Sequence, residues 1–220
     1  MQFGTDLTYT SREDKPLYVE DKYSPVLSGS VLDVGADKGL LGAELDSDVD
    51  YWGIGLGDGV DEVVDLEEDG IPYGDNSFNC VVCLDVLEHV DNIHEVFDEL
   101  CRVSKNYVII SLPNPWASFM RLLRDGYYDS NRPMKFYNLP SGKPADRHKW
   151  FYGPSEAEEF VKTRAKKNGV DVIQIDREES VSNPLVRKAY EFGARLFFHN
   201  DIRPTDLTSG NIWFLLSTSG

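Results

Sequence analysis

Val31-Leu32-Asp33-Val34-Gly35-Ala36-Asp37-Lys38-Gly39 is the stretch from which the rest of the chain is read. An apolar strand pattern runs into a turn with glycines four apart, and glycine both tolerates positive φ and places no Cβ between the backbone and a ligand. Any strand-to-helix turn can use two glycines; the order of the following elements gives the turn meaning. Leu40–Leu45 reads as a helix, Tyr51–Gly55 as a second strand, and Val60–Asp65 as the place of a third. Phe78–Leu84 and Tyr107–Leu112 read as the fourth and fifth strands, Val170–Ile175 as the sixth and Asn211–Ser217 as the last. Near-continuous apolar runs separated by helical patterns are what a parallel sheet covered on both faces needs. The expected fold is therefore α/β, a doubly wound, mostly parallel seven-stranded Rossmann-like sheet.

Among the helices, Asp91 is expected to cap one whose Ile93, Val96, Phe97 and Leu100 share a face. Ser155-Glu156-Ala157-Glu158 has capping-box spacing and opens a helix ending near Gly169, and Asn183-Pro184 begins another reaching Phe198. A leading segment, Leu17–Leu27, is expected beside the sheet. Residues 113–153 are rich in aromatics, proline and glycine, too apolar for a linker, and read as a folded insertion after the fifth strand. At 220 residues the chain suits one well-buried domain, 1–220, with that insertion inside it.

Composition narrows the function. The net charge of −16 argues against a general nucleic-acid surface, whose affinity rests on Lys and Arg. No run of eighteen apolar residues and no signal-peptide order is present, so a protein of the cytoplasm without a membrane span is expected. Cys80 and Cys83 lie on one strand, where a spacing of three points them to opposite faces; with Cys101 they read as buried thiols rather than a disulfide or zinc set. The charge is unevenly distributed: Gly39–Cys101 holds 18 acidic residues and no Lys or Arg, whereas Arg102–Lys149 holds nine basic residues against Asp125, Asp129 and Asp146. One part should favour cations and the other anions.

The series Val31–Gly39, Asp65-Leu66, Pro72-Tyr73, Phe78–Leu84, Leu87-Glu88-His89 and Ser111-Leu112-Pro113-Asn114-Pro115 resembles the class I S-adenosylmethionine (SAM)-dependent methyltransferases, especially their small-molecule branch with Leu-Glu-His. The resemblance covers about residues 28–116 and implies that Asp33, Gly35, Ala36, Asp37, Gly39, Asp58, Asp65, Leu66 and Asp85 meet the cofactor. Asp33 would orient the loop or accept from the SAM ammonium group, and Asp65 from the adenine amino group, with the backbone near Leu66 on the ring. Two departures stand out. Asp37 occupies a place where relatives often have glycine, and Gly55 stands where relatives usually carry the acid that holds the ribose, leaving Asp58 as the nearest substitute.

Asp85, Glu88 and His89, three and four apart, would face one way on a helical turn. Their spacing resembles that of the metal-assisted branch, the ubiquinone-pathway and small-RNA 2′-O-methyltransferases, with His148 as the added histidine. Asp85, Glu88, His89 and His148 could thus hold a divalent metal such as Mg. Without a metal, His148 or His89 could serve as general base. The resemblance implies methyl transfer to a hydroxyl or carboxylate of a small or carrier-linked acceptor, anionic or sugar-containing. Arg121, Arg124, Arg132, Lys135, Lys143, Arg147 and Lys149, interleaved with Trp116, Tyr127, Tyr128 and Trp150, would receive it, or else be charge balance and core. A nucleotide- or NAD-binding Rossmann enzyme and a non-catalytic SAM-fold binding module are the alternatives; the first lacks Gly-x-Gly-x-x-Gly in the opening loop.

Overall fold

The structure is a computed structural model and describes residues 3–9, 11–125, 147–179, 188, 192–193, 195–199 and 202–218. Seven strands form one sheet: β1 (Ser30–Val34), β2 (Asp50–Gly55), β3 (Glu62–Val63), β4 (Phe78–Leu84), β5 (Ser104–Pro113), β6 (Asp171–Glu179) and β7 (Ser209–Ser217). Their order is β3-β2-β1-β4-β5-β7-β6. The pairs among β1 to β5 are parallel, while β7 runs antiparallel to both β5 and β6. This is the Rossmann-like, mostly parallel sheet expected from the sequence.

Alternation along each strand divides the core. Val31, Cys80, Val82, Ile109, Trp213 and Leu215 face one side, against Tyr18, Val19 and Tyr23 of α1 (Lys15–Tyr23). Leu32, Val81, Cys83, Ile110 and Phe214 face the other, under α3 (Ile93–Val103) and α5 (Pro154–Lys167). Two further helices are α2 (Leu40–Glu44) and α4 (Pro115–Asp125). The three cysteines are free and buried, Cys80 and Cys83 on opposite faces as their spacing requires.

Local details depart from expectation. The third strand is only two residues long. Asp91 does not cap α3, whose N-cap position is Asn92; the Asp91 carboxylate turns instead to Lys149. Helix α5 starts at Pro154, and the Glu156 carboxylate accepts from the Gly153 N–H at 2.7 Å, so Ser155 is not the cap. Residues 126–146 of the expected insertion, with Tyr127, Tyr128, Arg132, Lys135 and Lys143, lie outside the described residues, as does most of the helix expected from Asn183. No helix among the described residues is long and apolar enough to cross a membrane.

Candidate active site

The carboxyl ends of β1 and β2 meet in two glycine loops packed backbone to backbone. Gly35 and Ala36 both donate to the Ile54 carbonyl, at 2.8 and 3.0 Å, and Gly59 donates to the Asp37 carbonyl at 2.9 Å. A Cβ on Gly57 would stand 2.2 Å from the Asp37 oxygen, and one on Gly39 2.5 Å from the Gly59 oxygen. Gly35, Asp37 and Gly39 adopt φ of +81°, +51° and +65°. Asp37 thus meets a left-handed position that its short polar side chain tolerates better than most. The same packing accounts for Gly55: at φ +147° its Cβ would lie 3.2 Å from Gly35 Cα, so a side chain there presses on the first loop. Asp58 lies exposed on the second loop. The glycines are demanded by the packing of loop on loop, which leaves this edge walled by partly exposed backbone, a surface that suits a cofactor.

Asp33 lies beneath the loop, 6% exposed, and accepts from the Tyr51 hydroxyl at 2.9 Å. Burial pushes its carboxyl up to about 6, against the pull of that hydrogen bond. Asp65 closes a local turn, its Oδ1 accepting from the Glu67 N–H at 2.9 Å, while the Leu66 carbonyl accepts from the Asn92 amide at 2.9 Å.

Beyond β4 the chain turns sharply. Asp85 has φ +55°, and the next side chain, Val86, covers Gly35, with Cγ2 only 2.2 Å from where a Gly35 Cβ would sit. The Asp85 carboxylate accepts from Lys15 Nζ at 2.6 Å, Ser111 Oγ at 2.7 Å and Asn211 Nδ2 at 2.7 Å. A 3-10 turn, Leu87–His89, follows. Glu88, 1% exposed, places Oε1 3.6 Å from His89 Nε2 and 3.9 Å from His148 Nε2. The two imidazoles meet edge to face with centroids 4.7 Å apart.

His148 is delivered by contacts on its neighbours. The Lys149 N–H donates to the Glu88 carbonyl at 2.8 Å, Lys149 Nζ reaches Glu67 at 2.6 Å and Asp91 at 2.9 Å, and the Trp150 indole donates to the Val90 carbonyl at 2.8 Å. Lys149 and Trp150 are therefore engaged in holding this segment. Trp116 is packed similarly, its ring 2.5 Å from where a Gly153 Cβ would lie.

Among the described residues, one ligand atom each from Glu88, His89 and His148 can be chosen so that all lie within 4.8 Å of one another. Asp85 does not join them: the left-handed turn precedes the 3-10 turn, so the i, i+3, i+4 alignment of one continuous helix never forms, and its carboxylate faces Lys15. Sequence reasoning misses Lys15, Ser111, Asn211 and Tyr51. Only Ser111 carries a signal, as the polar break in an apolar strand; a buried lysine on a nine-residue helix carries none.

Comparison with known proteins agrees with this geometry. No curated protein sequence matches the chain. Among solved structures, a SAM-dependent methyltransferase from Archaeoglobus fulgidus superposes with a TM-score of 0.62 at 19% identity, over 94% of this chain and 95% of that one. The [4+2]-cyclase SpnF superposes at 0.55 and 13% identity, over 98% of this chain and 85% of the other. Phosphoethanolamine N-methyltransferase 2 of Haemonchus contortus, bound to SAM, gives 0.51 at 14% identity, covering 93% of this chain and 52% of its own. These likenesses establish the fold, and SpnF shows that the name borne by a neighbour need not be a methyltransferase. The sequence itself goes further: residues 14–175 match the model of a methyltransferase domain family. With that match spanning both glycine loops, the β4 turn and the Glu88–His148 cluster, the chain belongs to the methyltransferase domain family, as a class I SAM-dependent enzyme.

Proposed function

We propose that the enzyme methylates a hydroxyl or carboxylate oxygen of a small or carrier-linked acceptor, anionic or sugar-containing, in the cytoplasm. The observation that carries this reading is the juxtaposition of Glu88, His89 and His148 one turn beyond Val86, the residue that roofs the Gly35 loop. Bound SAM supplies a methyl group on a cationic sulfonium, open to in-line attack. Residues Gly35 to Gly39 give the cofactor a close backbone wall, with Asp58, Asp65 and Asp85 as polar contacts along the carboxyl edge. An ordinary imidazole titrates near ~6.5, which suits it to take a proton from an attacking hydroxyl. His148 or His89 does so here, and the Glu88 carboxylate beside both rings favours the imidazolium that results. A carboxylate acceptor needs no base, only positioning. Within a single domain, the described ends of the 113–153 insertion receive the acceptor: α4, where Arg121 lies exposed, and the segment from residue 147 that carries His148.

The same cluster supports a second reading. Two imidazoles and one carboxylate within reach of one centre are a donor set for a divalent cation that polarises an acceptor oxygen. Nitrogen donors suit zinc, iron or nickel better than magnesium, which prefers an all-oxygen shell. Turnover of SAM against a panel of hydroxyl, carboxylate and amine acceptors, with chelator and with each metal restored, tests both. Oxygen methylation that His148→Ala suppresses supports the proposal; turnover confined to amines or carbon acids overturns it.

A further inference from the structure

Two lysines of α1 are almost fully buried, Lys15 at 6% and Lys22 at 5% exposure, and both stack on Trp213. Buried lysines are rare and imply a paired role. Lys22 has one inside the fold: it pairs with Asp176 at 2.8 Å and donates to the Tyr18 hydroxyl at 3.0 Å. Lys15 instead reaches out of the helix to the catalytic edge. Its Nζ donates to Asp85 Oδ2 at 2.6 Å and to Ser111 Oγ at 2.9 Å, over the rings of Tyr9 and Trp213.

Asp85 is held more firmly than a turn residue requires. It keeps a left-handed backbone without being glycine, and strain of that kind persists where surrounding contacts over-determine it, often at functional sites. Those contacts come from α1, β5 and β7, remote in sequence from each other. Three donors fill three of roughly four acceptor directions on a carboxylate. Lys15 takes one on Oδ2 and Ser111 and Asn211 share Oδ1, so a ligand donor has the remaining direction on Oδ2. Val86, the adjacent residue, touches the Gly35 loop. A carboxylate at this place complements a cofactor that carries both a sulfonium and an ammonium group.

We infer that Lys15 is a positioning residue for SAM: it fixes the Asp85 carboxylate so that Oδ2 accepts from the cofactor, making the amino-terminal helix part of the cofactor site. This rests on the reading that Asp85 faces the cofactor. Calorimetric titration of SAM into the full chain and its Lys15→Met, Lys15→Arg, Asp85→Asn, Lys15→Met/Asp85→Asn and Lys22→Met variants tests it, with thermal unfolding measured on each. Asp85→Asn and Lys15→Met should each weaken SAM binding by about tenfold to a hundredfold, the size of one charge-assisted hydrogen bond lost. The double variant should be no weaker than Asp85→Asn, and Lys15→Arg should recover most of the affinity. Lys22→Met should lower the melting temperature and leave SAM affinity unchanged, as a purely structural lysine would. Unchanged affinity in Asp85→Asn would overturn both the placement of Asp85 and the inference. Loss in Asp85→Asn but none in Lys15→Met, or additive losses in the double variant, would overturn the inference while leaving Asp85 in the site. Failure of both Lys15→Met and Lys15→Arg to fold would assign Lys15 to the fold alone and overturn it as well.

Discussion

Gly35→Ala is the sharpest perturbation of the cofactor loop, because its two costs can be separated on this chain. At φ +81° any side chain is strained, and the added Cβ would lie 2.2 Å from Val86 Cγ2 and 3.2 Å from Val86 Cγ1. Left-handed backbone with a Cβ costs about 1–2 kcal/mol, and overpacking against a stiff β-branched neighbour about 1–3 kcal/mol. The sum, about 2–5 kcal/mol, is below the usual ~5–15 kcal/mol of a folded domain, so the variant should fold with a melting temperature lower by roughly 5–15 °C. Gly70 supplies the control: it has φ +69° and nothing within 4 Å of where a Cβ would sit, so Gly70→Ala measures the backbone cost alone. Adding Val86→Ala to Gly35→Ala should recover the contact part and not the backbone part. SAM affinity, followed by calorimetry, should fall at least tenfold, about 1.4 kcal/mol, in Gly35→Ala and not at all in Gly70→Ala. A folded Gly35→Ala protein that binds SAM as the parent does would refute the reasoning that this loop is the cofactor wall.

Three further outcomes follow from the site. Asp33 holds its proton more tightly folded than unfolded, so its contribution to stability is present below about pH 4 and is lost as pH rises through about 6. Denaturant titrations of parent and Asp33→Asn should therefore diverge by about 3 kcal/mol between those limits, the parent losing ground with rising pH; parallel curves would remove Asp33 as the cause. Removing His148 should cut kcat by about 10²–10⁴-fold with little change in SAM affinity if it is the base, and a chelator should reproduce that loss only if a cation is used, which rapid kinetics with and without chelator decide. Lys149→Met should release the segment that delivers His148, lowering turnover while sparing SAM binding, and unchanged turnover would show that Glu67 and Asp91 do not place the histidine.

What can be read in the residues is what repeats with a period. Apolar runs mark β1, β4 and the covering face of α3, because burial on both sides of a parallel sheet leaves little choice of residue. Gly35 and Gly39 are legible because positive φ has so few other occupants. Gly55 reads as a missing acid, and only the packing of one loop on another shows that its position demands a glycine. Helical spacing groups Asp85 with Glu88 and His89, whereas a single residue with φ +55° parts Asp85 from the others and gives it to Lys15, 70 residues away. The chemistry of His148 marks it as a candidate, yet what brings it to Glu88 is the bonding of Lys149 and Trp150, which spacing alone does not encode. The acidic run of β2 to α3 likewise reads as a field for cations, but in the structure Glu67 and Asp91 are spent on Lys149, and Asp75 and Glu99 on Arg102. The Lys149 pairs therefore clasp the segment that carries His148 to the catalytic edge, whereas the Arg102 pairs tie the end of α3 at the opposite, amino-terminal end of β5, and any steering of ligands falls to the charges left over.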